Sequence, residues 1–139
     1  MADHVSTVSG VYQAFGTGDV GWILDQLADD VAWDHGIRDT GLPWLVPGTG
    51  KDHVLSFFQA LGSGVAFDVF EPGPICEGGD TVIVAVREAG TVLSTGRRIE
   101  EDIFVHIWSF GADGKVTSFR HVGDWARHEL AAAPPVANS

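Results

Sequence analysis

Basic residues are scarce in this chain: 8 Lys and Arg stand against 19 Asp and Glu in 139 residues, a formal net charge of −11. Such a surface repels phosphate backbones, so nucleic-acid binding is not expected. Polyanionic substrates are disfavoured for the same reason, and a small neutral or apolar ligand is the natural partner. Cysteine is nearly absent. Cys76 alone cannot form an intrachain disulfide, and a cysteine-rich metal site is excluded. No apolar run reaches the roughly 20 residues of a membrane span, so no membrane partner is expected. The N-terminal segment carries Asp3 and lacks a basic stretch before an apolar run, which makes a poor signal peptide and a cytoplasmic protein the expectation. Chemical signatures are missing too. The run Gly48-Thr49-Gly50-Lys51-Asp52 lacks the first glycine and the hydroxyl residue of a phosphate loop, and neither a GxSxG elbow nor an HExxH helix occurs. The six histidines show no ligand spacing within a helix, so neither a metal nor a cofactor is expected.

What is present is a change of period. Val5, Val8, Val11, Tyr12 and Phe15 recur at helical spacing, which predicts a helix over about 4–16, ended by Gly16 and Gly18. Asp19 can cap a second helix with Ile23, Leu24 and Leu27 inward. A short strand is predicted from Val31 to His35, with Val31, Trp33 and His35 on one face. A glycine- and proline-rich loop follows to Gly50, with Trp44 inside it, and then a helix from Lys51 to Leu61. From Val65 the period becomes two. Strands are predicted at 65–71, 81–89, 98–110 and 115–124, with turns at 77–80 and 111–114. A last helix covers about 125–133, and residues 134–139 form a disordered tail. Helices first and antiparallel strands afterwards indicate a single α+β domain over 1–133.

In the longest strand Asp102, Phe104, His106, Trp108 and Phe110 share one face, and Ile103, Val105 and Ile107 share the other. One apolar face can line a cavity, and the other is best buried against a second copy, so a homodimer is expected. His106 between Phe104 and Trp108 sits in an apolar wall, where desolvation favours the neutral ring able to accept a proton. Asp124, after Val122-Gly123, reads as an acid–base group at a strand end, with Arg120 on its face as a partner. Tyr12, Phe15, Trp33, Trp44, Phe104 and Trp108 are expected to line or lid one pocket.

Several short runs occur in a telling order. Gly18-Asp19-Val20 leads to Leu27-Ala28-Asp29-Asp30-Val31, and Gly50-Lys51-Asp52-His53-Val54 leads to Phe57-Phe58. Thr95-Gly96-Arg97-Arg98, Asp102-Ile103-Phe104 and Asp113-Gly114-Lys115-Val116 follow. Together they resemble the ketosteroid isomerases and SnoaL-like polyketide cyclases over about residues 5–127. The resemblance implies an NTF2-like cone: a curved antiparallel sheet and three N-terminal helices around an apolar pocket. It places His35 where ketosteroid isomerases keep a general-base aspartate and His106 where they keep an oxyanion-hole acid. Their tyrosine falls at Val11, one residue before Tyr12, so steroid isomerisation by that residue set is not expected. Asp124 falls where the cyclases and limonene-epoxide-hydrolase-like enzymes hold a catalytic aspartate. Glu88 lies near the second acid of the epoxide hydrolases, but Val86 stands where they need arginine. The resemblance thus implies cofactor-independent acid–base chemistry, cyclisation or isomerisation, on a polyketide-like or terpenoid-like molecule. Asp124 and His106 would act, with His35 as base or orienter, and Arg120 and Glu88 would join the pocket aromatics in binding. Epoxide hydrolysis and a non-catalytic binding or dimerisation module are the alternatives.

Overall fold

A computed structural model describes residues 3–134. The tail expected at 134–139 lies outside the described residues from 135 onward. Helix α1 spans His4–Thr17; the Asp3 carboxylate caps it by accepting from the Val5 N–H at 3.1 Å, and Gly18 closes it in the left-handed conformation. Its buried residues Val8, Val11 and Ala14 follow the periodicity of the sequence. Helix α2, Val20–Asp25, starts on the Asp19 cap. Leu27 is not part of it but opens strand β1, Leu27–Trp33. Strand β2 is the short pair Gly48–Thr49, and helix α3 is Lys51–Gly64.

The rest is sheet: β3 Val65–Gly78, β4 Thr81–Val92, β5 Arg98–Phe110 and β6 Val116–Val122, then helix α4 at Trp125–Ala132. The sheet order is β2-β1-β6-β5-β4-β3, with β1 parallel to β6 and every other pair antiparallel. Pro72 and Pro74 would suggest that β3 stops near residue 71, yet it runs on to Gly78. It can do so because it is an edge strand, where a missing N–H goes unmissed, and because its register slips between Pro72 and Ile75.

The helices cover one face of the curved sheet, and the core lies between them. That face receives Val82, Val84 and Val86 from β4, Phe104, Trp108 and Phe110 from β5, and Phe119 from β6, all buried. The opposite face leaves Ile83 and Val122 in solvent. Two irregularities shift the phase of the alternation. Val86 pairs with Phe104 but Glu88 pairs with Glu101, so β5 carries an extra residue there. The bulge turns Glu101 inward and Asp102 outward, where Asp102 meets Arg87; the expectation that Asp102 shares the face of Phe104 fails for this reason. The second lies after β1. Asp34 takes φ 55, the one non-glycine residue with positive φ among the described residues. The chain turns there, so the strand ends at Trp33 and His35 leaves its face.

Candidate active site

The cavity opens between α1, α3 and the inner face of the sheet. Its atom-free space, mouth included, is about 740 Å³. Tyr12 and Phe15 from α1, Trp33 from β1, Trp44 from the loop, and Phe104 and Trp108 from β5 all line it. Polar side chains in this apolar wall are few: Tyr12, Glu88, His106, His121 and His128.

The first polar group is a relay. The Trp108 indole N–H donates to the Tyr12 hydroxyl at 3.2 Å, and that hydroxyl lies 2.7 Å from His106 Nδ1. Burial raises the Tyr12 pKa above its usual value, with Glu88 adding and the Trp108 bond opposing, so the phenol keeps its proton. His106 Nδ1 is the one acceptor bonded to that hydroxyl among the described residues, so the proton points there. The His106 hydrogen therefore sits on Nε2, which is buried and has no partner. Burial, then the nearby His121, holds His106 well below the usual histidine value. This histidine of the cavity wall is thus a neutral ring with its hydrogen on Nε2, not the proton acceptor the sequence suggests.

The second group is a dyad that sequence reasoning missed. Asp34 is fully buried and accepts twice from His121, from the backbone N–H at 2.7 Å and from ring Nδ1 at 2.7 Å. An ionised carboxylate only accepts, so His121 carries its hydrogen on Nδ1 and presents a lone pair on Nε2. Nε2 makes no hydrogen bond among the described residues, and the ring lines the cavity. Its centroid is 5.0 Å from that of His106, which pairs with it across the strands. A base and a donor therefore stand side by side on one wall.

A second buried carboxylate–histidine pair lies deeper. His128 Nε2 on α4 meets Glu101 Oε1 at 3.0 Å, and the Trp44 indole N–H reaches His128 Nδ1 at 3.4 Å. Gly64 lets Trp44 into this seat, since a Cβ there would lie 2.8 Å from the indole ring. Glu101 also faces Glu88 across the β4–β5 ladder. Burial raises the Glu88 carboxyl to about 8, and Glu101 adds to the shift. Glu88 is thus a largely neutral carboxylic acid at pH 7, standing in the cavity wall.

Three candidates from the sequence stand elsewhere. Asp124 is exposed at the N-cap position of α4, and its carboxylate pairs with Arg127 at 3.2 Å instead of capping. Arg120 is exposed as well. Period-two alternation explains both: Phe119 is buried, so its face of β6 carries His121 inward and sends Arg120 and Val122 out. His35 is exposed, with Nε2 2.8 Å from the Gly48 carbonyl and 2.9 Å from the Thr49 hydroxyl. It ties the loop end to β2 and does not reach the cavity. The signal for His121 was available, two residues from Phe119 and opposite His106. Nothing in the sequence marks Asp34 beyond its place before a histidine.

Comparison with known proteins agrees with this architecture. A family model described as a SnoaL-like domain matches residues 8–119. No curated protein matches the chain in sequence. Among solved structures, an NTF2-like protein of unknown function from Burkholderia pseudomallei is 29% identical with TM-score 0.79, covering 96% of this chain and 100% of that one. An NTF2-like protein from Burkholderia thailandensis is 25% identical with TM-score 0.83, covering 96% and 100%. TerC, co-crystallised with polyporic acid, is 25% identical with TM-score 0.78, covering 94% and 98%.

Proposed function

This chain belongs to the SnoaL-like domain family, and from that premise we propose that it is a cofactor-independent enzyme of general acid–base type. Its substrate is a small, largely apolar carbonyl compound, and the reaction is an isomerisation or an intramolecular cyclisation. The observation that carries this reading is the Asp34–His121 pair, a buried carboxylate that orients an imidazole whose other nitrogen is free at an apolar cavity. His121 Nε2 removes a proton from the carbon next to the carbonyl. The negative charge that develops on the carbonyl oxygen is met by the His106 Nε2–H, whose polarity is reinforced through Tyr12 and Trp108. A neutral imidazole suits this role because it does not have to be discharged first. Glu88, largely protonated at pH 7, gives a proton to the enolate at a second carbon, or to the alkoxide left by ring closure, and the His121 imidazolium then passes its proton through solvent to the Glu88 carboxylate, so both groups are restored. Moving a proton between two carbons is isomerisation, and attack of the enolate on a second carbonyl in the same molecule is cyclisation. The crystallisation of TerC with polyporic acid supports reading the cavity as a small-molecule site.

Epoxide hydrolysis loses its support, because it calls for Asp124 and Glu88 at one cavity and Asp124 faces solvent. The test is proton exchange. α-Tetralone, a bicyclic aryl ketone, is incubated with the protein in deuterium oxide, and loss of its α-hydrogen signal is followed by NMR. Exchange above the buffer rate that falls about 10²–10⁴-fold in Asp34→Asn supports the reading. Binding of the ketone without any exchange overturns it and leaves a binding module.

A further inference from the structure

Trp33 is the last residue of β1, is almost wholly buried, and lines the cavity. Its ring packs among Phe57, Phe58, Trp108 and Phe119, with centroids 4.3–6.3 Å away. None of these offers an oxygen. The indole N–H is buried and has no hydrogen-bond partner. Leaving a buried donor unpaired is costly, and phenylalanine could fill this aromatic nest without that cost. The other buried side-chain polar atom without a partner among the described residues is His106 Nε2, on the same cavity. Both rings line one apolar chamber, and a ligand carrying two acceptors that reached both N–H groups would satisfy them together.

We propose that Trp33 is a specificity-determining residue whose indole N–H receives a second oxygen of the ligand, distinct from the oxygen that His106 receives. The ligand is then a compact cyclic molecule bearing two separate oxygen acceptors, carbonyl or ring ether, on an otherwise apolar frame. This rests on the reading of His106 as the donor to the reacting carbonyl. Two oxygens on two fixed donors also set which carbon faces His121, so Trp33 would choose the site of proton removal as well as the ligand.

The test compares probes of nearly one shape. Tetralin has no oxygen, and α-tetralone has one carbonyl. Chromanone has the carbonyl plus a ring ether in place of a methylene, and tetralin-dione has two carbonyls. Dissociation constants are measured calorimetrically for the native chain and for Trp33→Phe, whose fold is checked by circular dichroism and melting temperature. At least one two-oxygen probe should bind native protein about three- to tenfold more tightly than α-tetralone, the worth of one net hydrogen bond. Trp33→Phe should erase that margin while tetralin binds as before. If no two-oxygen probe gains a margin, or if the margin survives in Trp33→Phe, the N–H is spent on an aromatic face or a trapped water and the inference falls. The parent reading fails separately. If α-tetralone binds no better than tetralin and no exchange is seen, His106 and His121 are not the donor and base, whatever Trp33 does.

Discussion

Two buried carboxylate–histidine pairs lie beside one cavity, and they differ in one nitrogen. In the Asp34–His121 pair the carboxylate takes Nδ1 and Nε2 is left free at the chamber. In the Glu101–His128 pair Nε2 goes to the carboxylate and Nδ1 is taken by Trp44. The first pair has an unused lone pair where a substrate would sit. The second has none and ties three segments together: the loop through Trp44, β5 through Glu101 and α4 through His128. A carboxylate beside an imidazole is therefore not chemistry by itself; the state of the other nitrogen decides its use.

The contrast is open to direct attack. The largest effect is expected in turnover. Asp34→Asn presents an amide to Nδ1, favours the other tautomer of His121 and removes its base lone pair from the cavity. Ketone exchange should fall about 10²–10⁴-fold, whereas Glu101→Gln should leave the exchange rate within a few-fold. Equal losses from both would erase the distinction between the two pairs.

Next comes pH. The folded protein raises Glu88 from 4.5 to about 8, so it favours the protonated form. That contribution is fully present below 4.5 and is lost as pH climbs through about 8. The loss is on the order of 5 kcal/mol, and Glu88→Gln should abolish it in melting curves collected across this range. His106 acts in the opposite direction. Its pKa is lowered, so its contribution is present above the ordinary value of 6.5 and is lost as pH falls below it. Stability should therefore be highest between about 4.5 and 6.5, where the two slopes oppose each other, and fall on either side; a monotonic curve would contradict both assignments.

Smaller effects sharpen the second pair. Glu101→Gln should cost about 1–3 kcal/mol in chemical denaturation, since it weakens a buried charged hydrogen bond. It should also lower the Glu88 titration midpoint seen by carboxyl NMR, because the like charge facing it is gone. Trp44→Phe should cost least, about 1 kcal/mol, since its bond to His128 is long at 3.4 Å.

How much of this could be read from the chain depends on where its regular period holds. The face of α1 bearing Val8 and Val11, the aromatic lining and the α+β order follow from unbroken repeats of helix and strand. The site escaped wherever the repeat is interrupted. The extra residue in β5 brings Glu101 inward, which no two-residue count would place there. The turn at Asp34 ends β1 early and exchanges the expected roles of Asp34 and His35. On β6 the count itself was sound, but it was anchored on Asp124; anchoring on Phe119 selects His121. Glu88 enters through the resemblance alone, and the regular alternation of β4 from Val82 up to it explains why it faces inward.

The left-handed backbone at Asp34 carries a last consequence, for anyone who would engineer this protein. A non-glycine residue at φ 55 is held there at some expense of conformational energy, and glycine would relieve it. Glycine would also strip the two hydrogen bonds that the buried carboxylate accepts from His121, and that loss outweighs the relief of the turn. Folding and the tautomer of His121 thus rest on the same side chain, and any attempt to stabilise this scaffold should leave position 34 untouched.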